Sequence, residues 1–471
     1  MPQQIVVNPV TRIEGHAKIV LDVDDNGDVA KGHLHVLELR GFEKLLEGME
    51  LLKMPQITAR LCGVCPAAHH LAAVTAIEAG LGIQPPDEAR LLRELLYAGH
   101  MLHSHALSCF VLAGPDLLLG IDAAPGTRNI FELIKLDPDT AKKALRLRSI
   151  GQRIVEIVGG RGVHPVTVVA GGVTSRPTGD EFKTIAEWGK EALALVLDLA
   201  PKLKSRLSSF REIRNAMPLN LTAVALSDEG SHHFLSGDIL AVDGRGQNQR
   251  FQVAEYDKYL VEHVMPGSYM KSVRLRGEPE RSYFVGPLAR LMVNGMITTP
   301  LAYTALEEFR RDIGSEPTAL DYVEARLVEM IHCAERITEI ISSELKGGPI
   351  SIKATPREGR FIGAVEAPRG ILIHDYTTDG SGKIIQANLI VATQNNYDAI
   401  DLSITNLARS LLPRKDDNLL TNGMEFAMRC FDPCLSCATH VYGRMPLEIS
   451  VRHDGNEVHN IKRSSHDQDI H

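Results

Sequence analysis

The 471-residue sequence has no run of roughly 20 uncharged apolar residues, so it encodes no helix able to span a bilayer. Its most apolar segment, around Ala192 to Ala200, is short and carries Asp198. It also lacks a basic excess: a net charge of -8 with no clustered Lys or Arg gives no general attraction to nucleic acid or anionic lipid. Met1 to Thr11 shows no basic start followed by an apolar core, which predicts a chain without a secretory leader and a cytoplasmic location. Seven cysteines in so long a chain are too few for a disulfide framework. Low-complexity linkers and long internal repeats are missing as well. With 44% hydrophobic and 23% charged residues, the expectation is one globular, multi-element domain.

What is present begins with alternation of apolar and polar residues from Gly15 to Glu38 around Asp25-Asn26-Gly27-Asp28, which predicts a β-hairpin. Leu45, Leu46, Met49 and Leu52 give Phe42 to Met54 a helical spacing. Pro66 suits the first turn of a helix over Ala67 to Gly80. Helical periodicity recurs over Asp87 to Leu112, Pro138 to Val158, Asp180 to Arg206 and Ala319 to Leu345. Leu219 to Val285 contains short β-type runs, among them Phe251 to Ala254 and Ser282 to Val285, and Phe361 to Thr393 alternates like strands around Asp379 to Gly382. The expected class is α+β, mainly α: a core of long helices with peripheral antiparallel sheets.

Four of the cysteines form two Cys-x-x-Cys units, Cys62/Cys65 and Cys434/Cys437, near opposite ends of the chain. Such a unit lets two sulfurs reach one soft or borderline metal from a single turn of backbone. Cys65 at a helix start gains from the helix dipole, which favours a thiolate. A structural zinc site, an iron-sulfur cluster, a thiol-disulfide pair and a catalytic metal held between the two ends of the fold all remain open on the sulfurs alone. Arg60 and His69 beside the first pair, with Asp432 and His440 beside the second, are groups that could bond to thiolates or hold a second ion.

Beyond the cysteines, the sequence carries Arg12-Ile13-Glu14-Gly15-His16, Arg40-Gly41-Phe42-Glu43, Arg60-x-Cys62-Gly63-x-Cys65-x-x-x-His69, His164-Pro165 within Gly160 to Gly172, Glu366-Ala367-Pro368-Arg369-Gly370, and Asp432-Pro433-Cys434-x-x-Cys437-x-x-His440. In this order and over nearly the whole chain it resembles the large, catalytic subunits of nickel-iron hydrogenases. The form Cys65-Pro66-Ala67-Ala68-His69-His70 looks like the cytoplasmic groups, in particular the F420-non-reducing, methyl-viologen-reducing type. A related non-catalytic protein, the quinone-site subunit of respiratory complex I, lacks the cysteine ligands that this chain has. A zinc-stabilised scaffold is the other alternative.

The resemblance implies that Cys62 and Cys434 are terminal nickel ligands and that Cys65 and Cys437 bridge nickel to an iron carrying carbon monoxide and cyanide. Dihydrogen split there would leave its proton on a terminal thiolate, with Glu14 beside Cys434 as the next acceptor. Arg369 would lie over the open metal position and, with Pro368 and Thr393, surround the diatomic ligands, while Asp432 pairs with Arg369. His69 would donate to a ligand sulfur and His164 would support the site from further out. Glu43, His440 and a backbone carbonyl near Leu389 would hold a magnesium ion. One departure stands out: His105-Ala106-Leu107-Ser108-Cys109 has Ser108 where many membrane-linked relatives carry an aspartate.

With four of seven cysteines used, the chain cannot also bind iron-sulfur clusters, so the resemblance implies an iron-sulfur small subunit. It also implies a further electron-transfer subunit, an F420 or NAD(P) module or heterodisulfide reductase, and a maturation protease. Residues 1–440 would be the catalytic domain. Residues 441–471, with a hairpin pattern over Leu447 to Val451 and Glu457 to Ile461, would be an extension removed after nickel insertion.

Overall fold

A computed structural model describes residues 3–39, 41–124, 126–313, 316–439, 447–453 and 456–463. The expected N-terminal hairpin forms from Ala17–Val23 and Val29–Val36, with Gln3–Val7 added as a third antiparallel strand. Asp24 closes its turn, accepting from the amides of Asn26 and Asp28 at 2.9 Å each.

Phe42 to Met54 does not form one helix. The first stretch, Phe42–Leu46, stops before Gly48, which adopts φ 80° and donates its amide to the Ile384 carbonyl at 2.7 Å; helix resumes at Met54–Thr58. Pairing with a distant strand overrides local periodicity here.

The long helices form the core. Asp87–Ala106 packs on Pro138–Gly159 and on Asp321–Glu339, which packs in turn on Gly179–Ser209. Two of them end in a π turn, Leu107–Leu112 and Ile340–Glu344, so the expected helices to Leu112 and Leu345 change pitch in their last turn. A capping box of Thr178 and Glu181 starts Gly179–Ser209.

The crossing of Asp87–Ala106 with Pro138–Gly159 depends on missing side chains. A Cβ on Gly151 would lie 2.5 Å from the Gly99 carbonyl oxygen and 2.7 Å from the His103 nitrogen, both backbone atoms with no freedom to rotate away. Gly151→Ala is therefore expected to force the helices apart and lower stability by about 1–3 kcal/mol, the usual cost of overpacking a core. A fall in the denaturant midpoint measures it.

A three-stranded antiparallel sheet, Gly359–Ala367, Gly370–Thr378 and Ile384–Ile390, lies against the Pro66–Leu81 helix. Ala367 pairs with Gly370, so Pro368 and Arg369 are the two-residue tip of a hairpin. The strand pattern read to Thr393 ends at Ile390, and Thr393 sits in a single helical turn, Ala392–Asn395. Likewise the strand containing Phe251 ends there, and Val253–Glu255 turns. That strand closes a four-stranded sheet with Tyr283–Phe284, Thr222–Ser227 and Asp238–Val242. In the tail, Leu447–His453 and Asn456–Arg463 pair antiparallel as the expected hairpin.

Candidate metal centre

The first cysteine pair lies in the loop between the turn Ala59–Leu61 and the Pro66–Leu81 helix, with Cys65 as the helix N-cap and Pro66 as its first residue. The amides of Val64 and Cys65 approach Cys62 Sγ at 3.2 and 3.4 Å. The second pair follows the Asp417–Cys430 helix: Asp432 at φ 54° turns the chain, and Leu435–Ala438 forms one helical turn that carries Cys437 beside Cys434. The two loops meet sulfur to sulfur. Cys62 Sγ lies 3.1 Å from Cys434 Sγ, Cys65 Sγ 3.1 Å from Cys437 Sγ, and Cys434 Sγ 2.8 Å from Cys437 Sγ. All four are buried, and their sulfurs lie within 4.8 Å of one another.

Four thiols so placed cannot all ionise by themselves. Hydrogen bonds from Cys434, Cys437 and Cys65 hold the Cys62 thiol well below its ordinary pKa. Burial pushes Cys434 and Cys437 well above theirs. A second thiolate would sit against the first in a water-poor interior, so the set acquires its full donor capacity only with cations between the sulfurs. The soft, four-sulfur donor set fits nickel with iron.

Glu14 reaches this cluster from the N-terminal segment. Its carbonyl accepts from the Leu435 amide at 3.1 Å, its Oε2 accepts from the Ser436 amide at 2.9 Å, and the same Oε2 lies 3.3 Å from Cys434 Sγ. Gly15 makes the approach possible: it has φ 84°, and a Cβ there would lie 2.7 Å from Leu435 Cβ. The neighbouring residues are tied down by charge. Arg12 Nη2 donates to Asp116 Oδ1 at 2.6 Å, and Arg429 Nη1 donates to Asp116 Oδ2 at 3.1 Å. Arg429 also donates to the Thr11 carbonyl at 2.9 Å and to Glu425 at 2.6 Å, and Glu425 accepts from the Thr11 amide at 2.8 Å. Asp116, Glu425 and Arg429 thus hold the Glu14 segment against the helix that leads into Cys434.

Against the sulfurs lies a small cavity of about 10 Å³, walled by Cys65, Cys434 and Cys437 with Arg369, His69 and Thr393 among its remaining lining residues. Arg369 is 3% exposed; its Nε donates to the Asp432 carbonyl and its Nη2 to Asp432 Oδ1 at 3.1 Å. Burial alone would lower its pKa, but Asp432 and the surrounding sulfurs raise it, so the guanidinium stays charged. Its Nη1 is buried with no hydrogen-bond partner among the described protein atoms. An unpaired donor on a cation at the wall of a small cavity suits a bound group with acceptor atoms, as cyanide nitrogen or carbonyl oxygen on an iron would supply.

Thr393 Oγ1 accepts from the Cys434 amide at 2.9 Å. Thr393→Val keeps the shape and leaves that buried amide unpaired, which costs about 1–3 kcal/mol. The expected result is a lower unfolding midpoint at unchanged metal content. His69 lines the cavity, and its Nδ1 faces His374 Nε2 at 3.1 Å. Pro368 is buried at the hairpin tip next to Arg369.

The structure brings Glu43 and Leu389 together: Glu43 Oε1 accepts from the Leu389 amide at 2.9 Å. His440, the third expected member, lies outside the described residues, as does Arg40. His164 stands apart, half-buried at φ 58° in the loop after Pro138–Gly159, and does not line the cavity. Sequence reasoning missed Asp116, Glu425 and Arg429, and it also missed the buried Arg290 and Glu329 that meet the motif residue Glu366 behind the hairpin tip. None of these five belongs to a spaced motif; only the oddity of charged residues in otherwise apolar helices hinted at them.

Comparison with known proteins agrees with this geometry. A family model described as Nickel-dependent hydrogenase matches residues 40–125 and 242–440, and one described as HoxL-like matches residues 4–39. The chain is 37% identical over 420 residues to a polypeptide of the vhu F420-non-reducing hydrogenase of Methanococcus voltae, covering 87% of this chain and 99% of that one. It is 33% identical to NAD-reducing hydrogenase HoxS subunit beta of Cupriavidus necator, covering 96% and 97%. Among solved structures, an NAD+-reducing [NiFe]-hydrogenase in the H2-reduced state superposes with a TM-score of 0.88 at 34% identity, covering 93% of this chain and 99% of that one. The Ni-Fe-Se hydrogenase of D. vulgaris Hildenborough gives 0.77 at 26% identity, covering 93% and 100%. Together, the buried four-cysteine site, the α+β architecture and these likenesses along nearly the full chain establish that this chain belongs to the nickel-dependent hydrogenases, as a large subunit that activates dihydrogen.

Proposed function

We propose that the chain interconverts dihydrogen with protons and electrons at a nickel-iron centre on Cys62, Cys65, Cys434 and Cys437, and passes the electrons to an iron-sulfur small subunit. The observation that carries this reading is the contact of Glu14 Oε2 with Cys434 Sγ at 3.3 Å, the same cysteine that walls the Arg369 cavity. When bound, the nickel-iron centre supplies the Lewis acid that polarises dihydrogen. Cys62, Cys65, Cys434 and Cys437 would hold it, Cys62 and Cys434 in the terminal roles and Cys65 and Cys437 in the bridging roles that the resemblance implies. Cys434 Sγ receives the proton and Glu14, half-buried, takes it toward solvent. Arg369 cannot act as a base near neutral pH, so it orients the bound groups and keeps its charge over the site.

Asp432 holds Arg369 in place, Thr393 and Pro368 would complete the wall around carbon monoxide and cyanide on the iron, His69 would back the sulfurs, and His164 would support them from outside. Glu43, a backbone carbonyl near Leu389 and His440 would hold magnesium, an oxygen-seeking ion. The partner requirement rests on cysteine number: Cys109, Cys333 and Cys430 are buried singly in the core and form no second cluster with the described residues. The relatives are named as single components of larger hydrogenases, which supports a multi-subunit complex, and several are called F420-non-reducing. A further electron-transfer component, whether an F420 or NAD(P) module or heterodisulfide reductase, completes that complex. Among the described residues no helix is long and apolar enough to cross a membrane, and reduced cysteines suit a cytoplasmic setting. A maturation protease would separate residues 441–471 from the catalytic domain, 1–440.

Metal analysis and infrared spectroscopy of the purified native complex test the reading. Nickel near one per chain, with bands from bound carbon monoxide and cyanide, is the expected result. Zinc alone without such bands would overturn it.

A further inference from the structure

Arg369 stands at a hairpin tip whose conformation needs outside support. Two-residue hairpins prefer turns with positive φ at the first central residue, because only those match strand twist. Pro368 occupies that place with φ fixed by its ring, and neither it nor Arg369 has a positive φ. The tip is therefore not the turn that its strands would choose.

The support comes from behind. Arg290, with no exposed surface, donates from Nη1 to the Ala367 carbonyl at 2.9 Å and from Nη2 to the Pro368 carbonyl at 3.5 Å. Asn396 Nδ2 lies 3.4 Å from the Arg369 carbonyl, and its Oδ1 accepts from the Val285 amide at 2.9 Å. Three successive carbonyls of the tip are thus held from one side. Arg290 is itself immobilised: Nε and Nη2 donate to the two oxygens of Glu329 at 2.6 and 2.7 Å, and Nη1 donates to Glu366 Oε2 at 2.9 Å. His232 Nε2 and His105 Nε2 complete Glu329 at 3.0 and 2.7 Å. Burial would raise Glu329, but Arg290 and the two imidazoles hold it well below its ordinary pKa, so its charge is permanent.

The geometry points to Arg290, together with Asn396, as the positioning residues that fix the Pro368–Arg369 tip and so set where the Arg369 guanidinium sits over the cysteine cluster. Neither touches the sulfurs or lines the cavity. The inference rests on the proposed role of Arg369 at a nickel-iron centre, so Arg369→Lys is the reference. In the assembled complex, Arg290→Lys leaves one ammonium to do the work of a planar fork and cannot hold both carbonyls and both carboxylates. Asn396→Ser, a milder change, releases the Arg369 carbonyl together with the Val285 backbone that Asn396 also bonds, and leaves Arg290 in place.

The readouts are infrared band positions of the diatomic ligands, nickel per chain, and kcat separately from KM. Arg290→Lys should shift the bands in the same direction as Arg369→Lys and lower kcat about 10- to 100-fold, as a misplaced group of ångström scale does, with KM and nickel content unchanged. Asn396→Ser should show a smaller shift of the same sign, which decides the matter where Arg290→Lys fails to assemble. Unmoved bands and kcat in both variants, with Arg369→Lys altered, would overturn the brace. No effect in Arg369→Lys would instead remove the reading on which it rests. His232→Gln keeps Arg290 on the carbonyls, and a shift there as large as in Arg290→Lys would also overturn it.

Discussion

Glu14→Gln is expected to lower dihydrogen turnover by about 10²- to 10⁴-fold, the range that removal of a positioned proton acceptor produces. The substitution is close to silent for structure. A glutamine has the same reach, its amide oxygen can still accept from the Ser436 amide, which lies 2.9 Å from Glu14 Oε2, and the backbone pairing of Glu14 with Leu435 is untouched. What the amide cannot do is accept a proton near neutral pH. The proton on Cys434 Sγ would then have no carboxylate at 3.3 Å to receive it. Nickel, iron and the infrared bands should stay as in the unmodified complex while turnover falls. Glu14→Asp, one methylene shorter, should fall between the two because the acceptor is the right kind but too far. Full turnover in Glu14→Gln, with metal content verified, would mean that the proton leaves by another route and that the contact with Cys434 is only structural.

The parts of this site legible in the sequence are those where chemistry forces a spacing. Two sulfurs on one metal need Cys-x-x-Cys, so Cys62, Cys65, Cys434 and Cys437 stand out, and Pro66 marks the helix that begins beside them. The long helices were legible because an apolar stripe must recur with helical period. Charged residues that meet only in three dimensions leave no such trace. Asp116 and Arg429 come from distant segments, yet through Arg12 and Thr11 they set the position of Glu14. Arg290 and Glu329 are the same case behind Arg369, meeting the motif residue Glu366 there. Local patterns also fail where a long-range contact competes with them: Gly48 interrupts the helix after Leu46 because its amide pairs with Ile384, and Thr393 leaves the strand alternation to meet the Cys434 amide.

Cys437→Ala should abolish both metal retention and turnover while leaving the fold in place. The second half of that expectation follows from how the site is built. Cys434 is held by the Thr393 hydroxyl and by the Glu14 segment bridged to it, Arg369 by Asp432, and the hairpin tip by Arg290, so the cavity does not depend on a metal to keep its walls apart. The first half follows from charge. Without cations only Cys62 is drawn well below the usual thiol range, while burial keeps Cys434 and Cys437 protonated. Removing one sulfur removes one of only four ligands, and with it much of a binding free energy that for thiolate-rich metal sites is on the order of 10 kcal/mol. Cys109→Ala is the matched control: burial pushes that thiol up to about 12, it lies apart from the cluster, and its loss should leave nickel, bands and turnover unchanged. Circular dichroism separates the two halves of the expectation. A folded Cys437→Ala chain without nickel supports a preformed cage that the metal fills. An unfolded one would mean that the metal holds the two ends of the chain together, and that the brace behind Arg369 is too weak to do so by itself.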